Sequence, residues 1–299
     1  MKKQTLAAIQ QFRQYKNGVN ANNEYVAGEV LAIQLDRFEP SDAPCEDLTV
    51  FIGENICPID TCDSSSSIVS CTLPGQPTGA YPIRVNFAAV GDAVSDITLP
   101  MAYHIESIFP LSGSYGGGTA VTIMGSGFLD DDDMGTLCGN PLEGCVVNND
   151  NTQAVCLTPS MKRITVEEEL CEFVFYQLDP GMRAGINFNF QDTATAVVTS
   201  VQPARGGTEG GTRVTILGSQ FVPGQTTVSI DGSACNIQFE TTALIVCETT
   251  AHREATGKHP VVVFVTGNGN AIYTDEDNSK FWYIDRWSSI FTWGCNDTS

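Results

Sequence analysis

The chain has 299 residues, with 15 basic and 35 acidic side chains and a formal net charge of −20. That balance argues against a nucleic-acid backbone or an anionic lipid surface as partner. No run approaches the ~18 consecutive apolar residues that span a bilayer, so composition suits a soluble, well-hydrated ectodomain of two or three domains.

Residues 1–23 are rich in Gln, Lys and Asn. Leu6, Ile9, Phe12 and Tyr15 stand three apart, which predicts at most a short frayed helix in an irregular lead-in. The basic tip lacks the continuous apolar core of a secretory signal, and the chain is therefore expected to be a fragment of a longer exported protein.

Residues 24–104 form a first, divergent repeat. Ala27–Phe38 aligns with Gly117–Phe128 at an offset of 90 (128 − 38), keeping Gly28, Ile33 and Phe38. Leu35 stands where the later copy has Gly125, and no Pro-x-x-Gly strand precedes it, so the first strand is expected to be missing or divergent. Strands follow at Val50–Ile52, Tyr81–Phe87 and Leu99–Tyr103, and Cys57 and Cys71 bracket an Asp-Ser loop.

Residues 105–197 and 198–286 are the clearest repeats. Pro110 matches Pro203, Gly117-Gly118-Thr119 matches Gly210-Gly211-Thr212, and Val121-Thr122-Ile123 matches Val214-Thr215-Ile216. Gly125, Ser126 and Phe128 match Gly218, Ser219 and Phe221, all at an offset of 93 (203 − 110). Proline cannot donate to a ladder, so Pro110 and Pro203 belong at a strand end. The glycine pair permits positive φ in a tight reversal. Val121 and Ile123 then share a buried face opposite Thr122 and Met124, Gly125 and Gly218 permit a bulge or bend, and Phe128 and Phe221 anchor a loop on the core. Further strands are predicted at Cys171–Tyr176, Ile186–Phe190, Thr227–Asp231, Leu244–Cys247, Pro260–Val265 and Phe281–Ile284. Linkers are almost absent, which predicts a stiff rod of stacked domains. Residues 287–299 read as the truncated start of a following glycine-rich domain.

Pro-x-x-Gly, then Gly-Gly-Thr-x-Val-Thr-Ile-x-Gly-x-x-Phe and paired cysteines, resembles the immunoglobulin-like, plexin and transcription-factor domain, IPT/TIG. The resemblance implies an all-β fold of tandem early-set immunoglobulin-like sandwiches. Extracellular members occur in plexins, Met-type receptors and fibrocystins. Trp287, Trp293 and Gly294 resemble the junction where fibrocystin-like proteins leave their tandem repeats.

Eleven cysteines divide evenly within the repeats, leaving Cys295 alone, which points to an oxidising compartment and intradomain disulfides. Cys57–Cys71, Cys145–Cys156 and Cys235–Cys247 hold the same place in each repeat and are expected as bridges. Each closes a loop of roughly 10–15 residues, worth up to about 3 kcal/mol in the chain-entropy account. Four cysteines allow three pairings. Of these, Cys45 with Cys62 and Cys138 with Cys171 would complete the first two repeats. No Cys-x-x-Cys pair accompanies His104, His252 and His259, so no thiolate metal site is expected.

No catalytic residue and no cofactor is predicted. Gly116-Gly117-Gly118 is not followed by Lys-Ser/Thr, and neither a nucleophile elbow nor a histidine at useful spacing is present. His252 and His259 read as surface residues. Asp130–Asp133 and Asp275–Asp277 lack the alternating spacing of a calcium loop and read as solvated turns. Asn296-Asp-Thr298 is a sequon. The expected role is therefore a non-catalytic extracellular region, spacer and binding surface for a protein or glycan. The alternative is an accessory region of a larger carbohydrate-active enzyme, and a DNA-binding use of the same fold would need a basic loop face that is missing here.

Overall fold

The computed structural model describes residues 8–14, 25–36, 45–63, 65–88, 91–93, 96–130, 134–162, 168–176, 185–253 and 257–284. Almost all regular structure is strand, and three separate hydrophobic cores follow one another along the chain. Leu31, Ile33, Val50, Val85 and Leu99 centre the first, Val121, Ile123, Phe173 and Phe188 the second, and Val214, Ile216, Val263 and Phe281 the third. The fold is all-β, built as immunoglobulin-like sandwiches.

The second repeat shows the plan. One sheet orders His104–Phe109, Ala120–Ser126, Gln153–Leu157 and Glu143–Val147; the other orders Ser112–Gly113, Asn187–Gln191, Glu168–Phe175, Gly135–Leu137 and Asn140–Pro141. Val121 and Ile123 are fully buried between the sheets, and Met124 is exposed on the outside, because successive side chains in a strand point to opposite faces. The first repeat matches with Ala8–Gln14, Val30–Asp36, Ile68–Thr72 and Ile59–Asp63 facing a sheet centred on Leu48–Ile52 and Gly79–Phe87. In the third repeat the two sheets are continuous, since Ser233–Glu240 pairs with both Thr226–Ile230 and Leu244–Thr249.

Two expectations need correction. Part of the lead-in is a strand, Ala8–Gln14, antiparallel to Val30–Asp36. A register shift between Ile9 and Gln11 places Ile9 and Phe12, three apart in sequence, opposite Leu35 and Ile33, two apart. A bulge thus turned strand spacing into an apparent helical one. The same shift recurs between Ile105 and Ser107 and between Val198 and Ser200, so the first repeat has its first strand, without the proline.

The second correction concerns Gly125 and Gly218. The bulge lies on the partner strand, and the two glycines serve close approach: a Cβ on either would overlap the carbonyl oxygen of His104 or of Val197. Phe128 and Phe221 are buried as loop anchors. Pro110 and Pro203 end their strands, each after a cis peptide bond.

Candidate recognition surfaces and the disulfide framework

Five disulfides close within the repeats among the described residues. Cys57–Cys71, Cys145–Cys156 and Cys235–Cys247 span 14, 11 and 12 residues. Cys71, Cys156 and Cys247 stand opposite Leu31, Val121 and Val214 in the same ladder of each repeat, so each bridge ties that strand to the segment preceding it. Cys45–Cys62 adds a second bridge to the first repeat and Cys138–Cys171 one to the second. Trp287, Trp293, Gly294, Cys295 and Asn296 lie outside the described residues.

The glycine turns have the backbone that only glycine adopts cheaply: φ is +72° and +71° at Gly117 and Gly118, and +78° and +75° at Gly210 and Gly211. In the second repeat this turn is also a socket. The Asn268–Asn270 hairpin of the third repeat docks on it, with Ser114 N–H donating to Asn268 O at 2.9 Å and Asn270 N–H to Gly117 O at 2.8 Å. The Ser114 hydroxyl donates to Asn270 O and the Thr119 hydroxyl to Asn268 O, both at 2.5 Å. A side chain on Gly116 or Gly269 would overlap the facing backbone. The first and second repeats meet elsewhere: Thr78 N–H donates to Gly127 O at 3.0 Å, and Gly75 lies against Asp150 O. Both junctions include backbone-to-backbone contacts, which resist bending more than a solvated linker does.

The outer face of the first sheet differs between repeats. In the second, Phe109, Thr122, Val155 and Val146 form one cross-strand row. Phe109 is 75% exposed and Val146 67%, with Met124 and Leu157 exposed on the same face. Opposed residues project to one side of a sheet, so this row is a solvent-facing apolar strip. The matching row of the third repeat is Gln202, Thr215, Val246 and Phe239. In the first repeat it is made of small side chains, Ala32, Ser70 and Thr61, which line a groove of about 390 Å³ with Val30, Asp63, Ser66 and Ile68. Sequence reasoning placed Val121 and Ile123 on the buried face, opposite Thr122 and Met124, and drew nothing from the outer one. The signal was there in Val146, Val155 and Leu157 occupying outward positions.

Of the acidic loops, Asp131–Asp133 lie outside the described residues. Asp275 is turned onto its own loop: its carboxylate accepts from Asp277 N–H at 2.9 Å and from the Asn278 amide at 2.8 Å. Lys280 bonds Asp277 at 3.2 Å. Among the described residues no group of three metal-ligating side chains converges in a geometry that would hold a cation. The reading of His252 and His259 as surface residues is corrected: their rings flank Asp231 at 3.1 and 3.3 Å, and both are largely buried. No helix among the described residues is long and apolar enough to cross a membrane.

Repeated, disulfide-bonded immunoglobulin-like sandwiches with direct junctions define a tandem-module class of protein. The family model described as IPT/TIG domain matches residues 104–175 and 196–281, and the chain belongs to that family. Fibrocystin-L of Homo sapiens is 30% identical over 250 residues, covering 83% of this chain and 6% of the relative. Plexin-B1 of Homo sapiens is 34% identical over 158 residues, covering 49% of this chain and 7% of the relative. The chain thus spans a small part of these relatives. A solved structure of the Plexin A4 full extracellular region aligns over 87% of this chain and 32% of its own, at 17% identity and a TM-score of 0.31.

Proposed function

We propose that this chain is a non-catalytic region of a cell-surface or secreted protein, in which the three sandwiches act as a stiff spacer and hold a protein-contact surface on the second. The observation that carries the reading is the combination of backbone-bonded junctions with the apolar strip of Phe109, Val155 and Val146 on an otherwise strongly acidic chain. Five disulfides support an oxidising compartment, as does similarity to Fibrocystin-L and Plexin-B1. An exposed apolar strip suits a protein partner, whose own apolar side chains can exclude water from it; a glycan presents mainly hydroxyl groups.

The test is binding of the labelled chain to cells. The wild type is expected to bind saturably, with loss of binding after protease treatment of the cells, and Phe109→Asp with Val146→Asp should reduce binding at least about tenfold. Because both side chains already face water, that double variant should keep its melting temperature. Binding unchanged in the folded double variant, or sensitive to glycosidases and not proteases, would refute a protein contact on this face.

A further inference from the structure

The junction between the second and third repeats is built from positions that the other two repeats fill differently. Ser114 and Thr119 are buried almost completely, yet the acceptors of both hydroxyls, Asn270 O and Asn268 O, belong to the next module. A buried hydroxyl needs a partner, and the second repeat takes both from its neighbour. Ile272 of the third repeat also packs against the second repeat's hydrophobic core.

Gly116 is the position that admits the hairpin. Its φ lies outside the left-handed region, so the backbone conformation there does not demand glycine. Space demands it. An added Cβ would overlap Asn270 O and lie 2.7 Å from Asn270 C and 3.0 Å from Ala271 O, and all three atoms are in the third repeat. From the other side, a Cβ on Gly269 would overlap Gly117 O.

The matching turns are closed to such a hairpin. At the offset of 93, Gly207 stands for Ser114 and Glu209 for Gly116; at the offset of 90, Val26 stands for Gly116 and Glu29 for Thr119. Thr212, the counterpart of Thr119, is only half-buried. With Val26 in the way, the first repeat meets the second through Gly75 and Thr78 instead.

We propose that the Gly116–Thr119 turn is a receptor for an Asn-Gly-Asn hairpin of the following module, and that the second and third repeats fold and unfold as one unit. A stiff joint alone can link modules that melt separately. Here the loss of either module would strip hydrogen-bond partners from Ser114 and Thr119 and bring Ile272 and the core beneath it into water, so each repeat stabilises the other.

The three tryptophans, Trp282, Trp287 and Trp293, all lie in or after the last strand of the third repeat, so tryptophan fluorescence of the intact chain reports on this repeat. Hydrogen exchange of peptides covering Ala120–Ser126 reports on the second. In urea the two transitions of the wild type should coincide. Gly116→Glu gives the second repeat the side chain that Glu209 already carries at the matched turn of the third, a change the sandwich itself tolerates. It should separate the two transitions and lower the midpoint read by fluorescence, although the substitution lies in the other repeat. Exchange of the Ser114 and Asn270 amides, which donate across the junction at 2.9 and 2.8 Å, should quicken at least about tenfold. Ser114→Ala removes one junction hydroxyl without adding bulk and should act in the same direction by less, and it carries the same test if the glutamate chain does not fold. Separate transitions in the wild type would overturn the shared folding. Junction amides and a fluorescence midpoint unchanged in both variants would overturn the receptor.

Discussion

Replacing Gly211 and Gly210 one at a time separates two costs that the glycine turn conceals. At Gly211 φ is +75° and a Cβ would meet nothing within 4 Å, so Gly211→Ala adds only the left-handed backbone penalty, about 1–2 kcal/mol. At Gly210 φ is +78°, and the Cβ would lie 2.7 Å from Thr249 O and 2.8 Å from Ala251 N. Those are backbone atoms, and they move only with their loop. Overpacking of that kind adds about 1–3 kcal/mol, and displacing Thr249 O weakens its 2.8 Å bond from Gly211 N–H, about another 1 kcal/mol. Gly210→Ala should therefore cost about 3–6 kcal/mol. For a repeat of this size each kcal/mol lowers the melting temperature by about 4–8 °C. Tryptophan fluorescence of the intact chain would read a drop of roughly 5–15 °C for Gly211→Ala, and loss of the folded third repeat near body temperature for Gly210→Ala. Gly211→Asn should recover most of the smaller penalty, because asparagine visits that region more readily. Equal effects of Gly210→Ala and Gly211→Ala, or of Gly211→Ala and Gly211→Asn, would refute the assignment of strain and close approach to these two positions.

Non-reducing peptide mapping should recover Cys57–Cys71, Cys145–Cys156 and Cys235–Cys247 as linked peptides, together with Cys45–Cys62 and Cys138–Cys171; free thiols at the first six would overturn both the bridges and the extracellular proposal. Millimolar calcium and magnesium should leave the melting temperature unchanged alike at physiological ionic strength. Asp275 already accepts from its own loop, and four consecutive aspartates in sequence repel one another. A rise of several degrees with calcium alone, abolished by Asp131→Asn with Asp133→Asn, would make the Asp130–Asp133 loop a cation site.

What the sequence made legible followed from short-range chemistry. The glycine turns, the buried faces of Val121 and Ile123 and the anchors Phe128 and Phe221 each follow from steric or period-two rules acting within a few residues. The strand Ala8–Gln14 escaped because a bulge changes the period over one residue, and only the partner strand reveals it. Likewise, Asp231, His252 and His259 are separated by 21 and 7 residues in sequence, and nothing local announces that a turn, a loop and a strand bring them together. The docking of Asn268–Asn270 on the turn at Gly117 belongs to the same class. Gly-Asn-Gly reads as a hairpin tip in any sequence, and its second role depends on a surface about 150 residues away in the chain.

The continuous sheet of the third repeat also bears on how similar neighbours avoid pairing with one another. Only Ser233 and Ala234 of the strand Ser233–Glu240 pair with Thr226–Ile230, whereas Cys235–Glu240 pairs with Leu244–Thr249, so among the described residues the other side of Cys235–Glu240 is an edge. The first two repeats leave the matching edge at Ile59–Asp63 and Glu143–Val147. Each is interrupted by a register shift, between Ile59 and Thr61, between Glu143 and Val146 and between Ile237 and Phe239, and they carry Asp60 and Asp63, Glu143 and Glu240 respectively. Bulges and charges on an edge discourage the addition of another strand. In a chain whose modules share the same core pattern, a newly made repeat could otherwise swap a strand with the one made just before it, the characteristic misassembly of tandem-repeat proteins. The broken, acidic edges make each module a poor template for its neighbour while it is still folding.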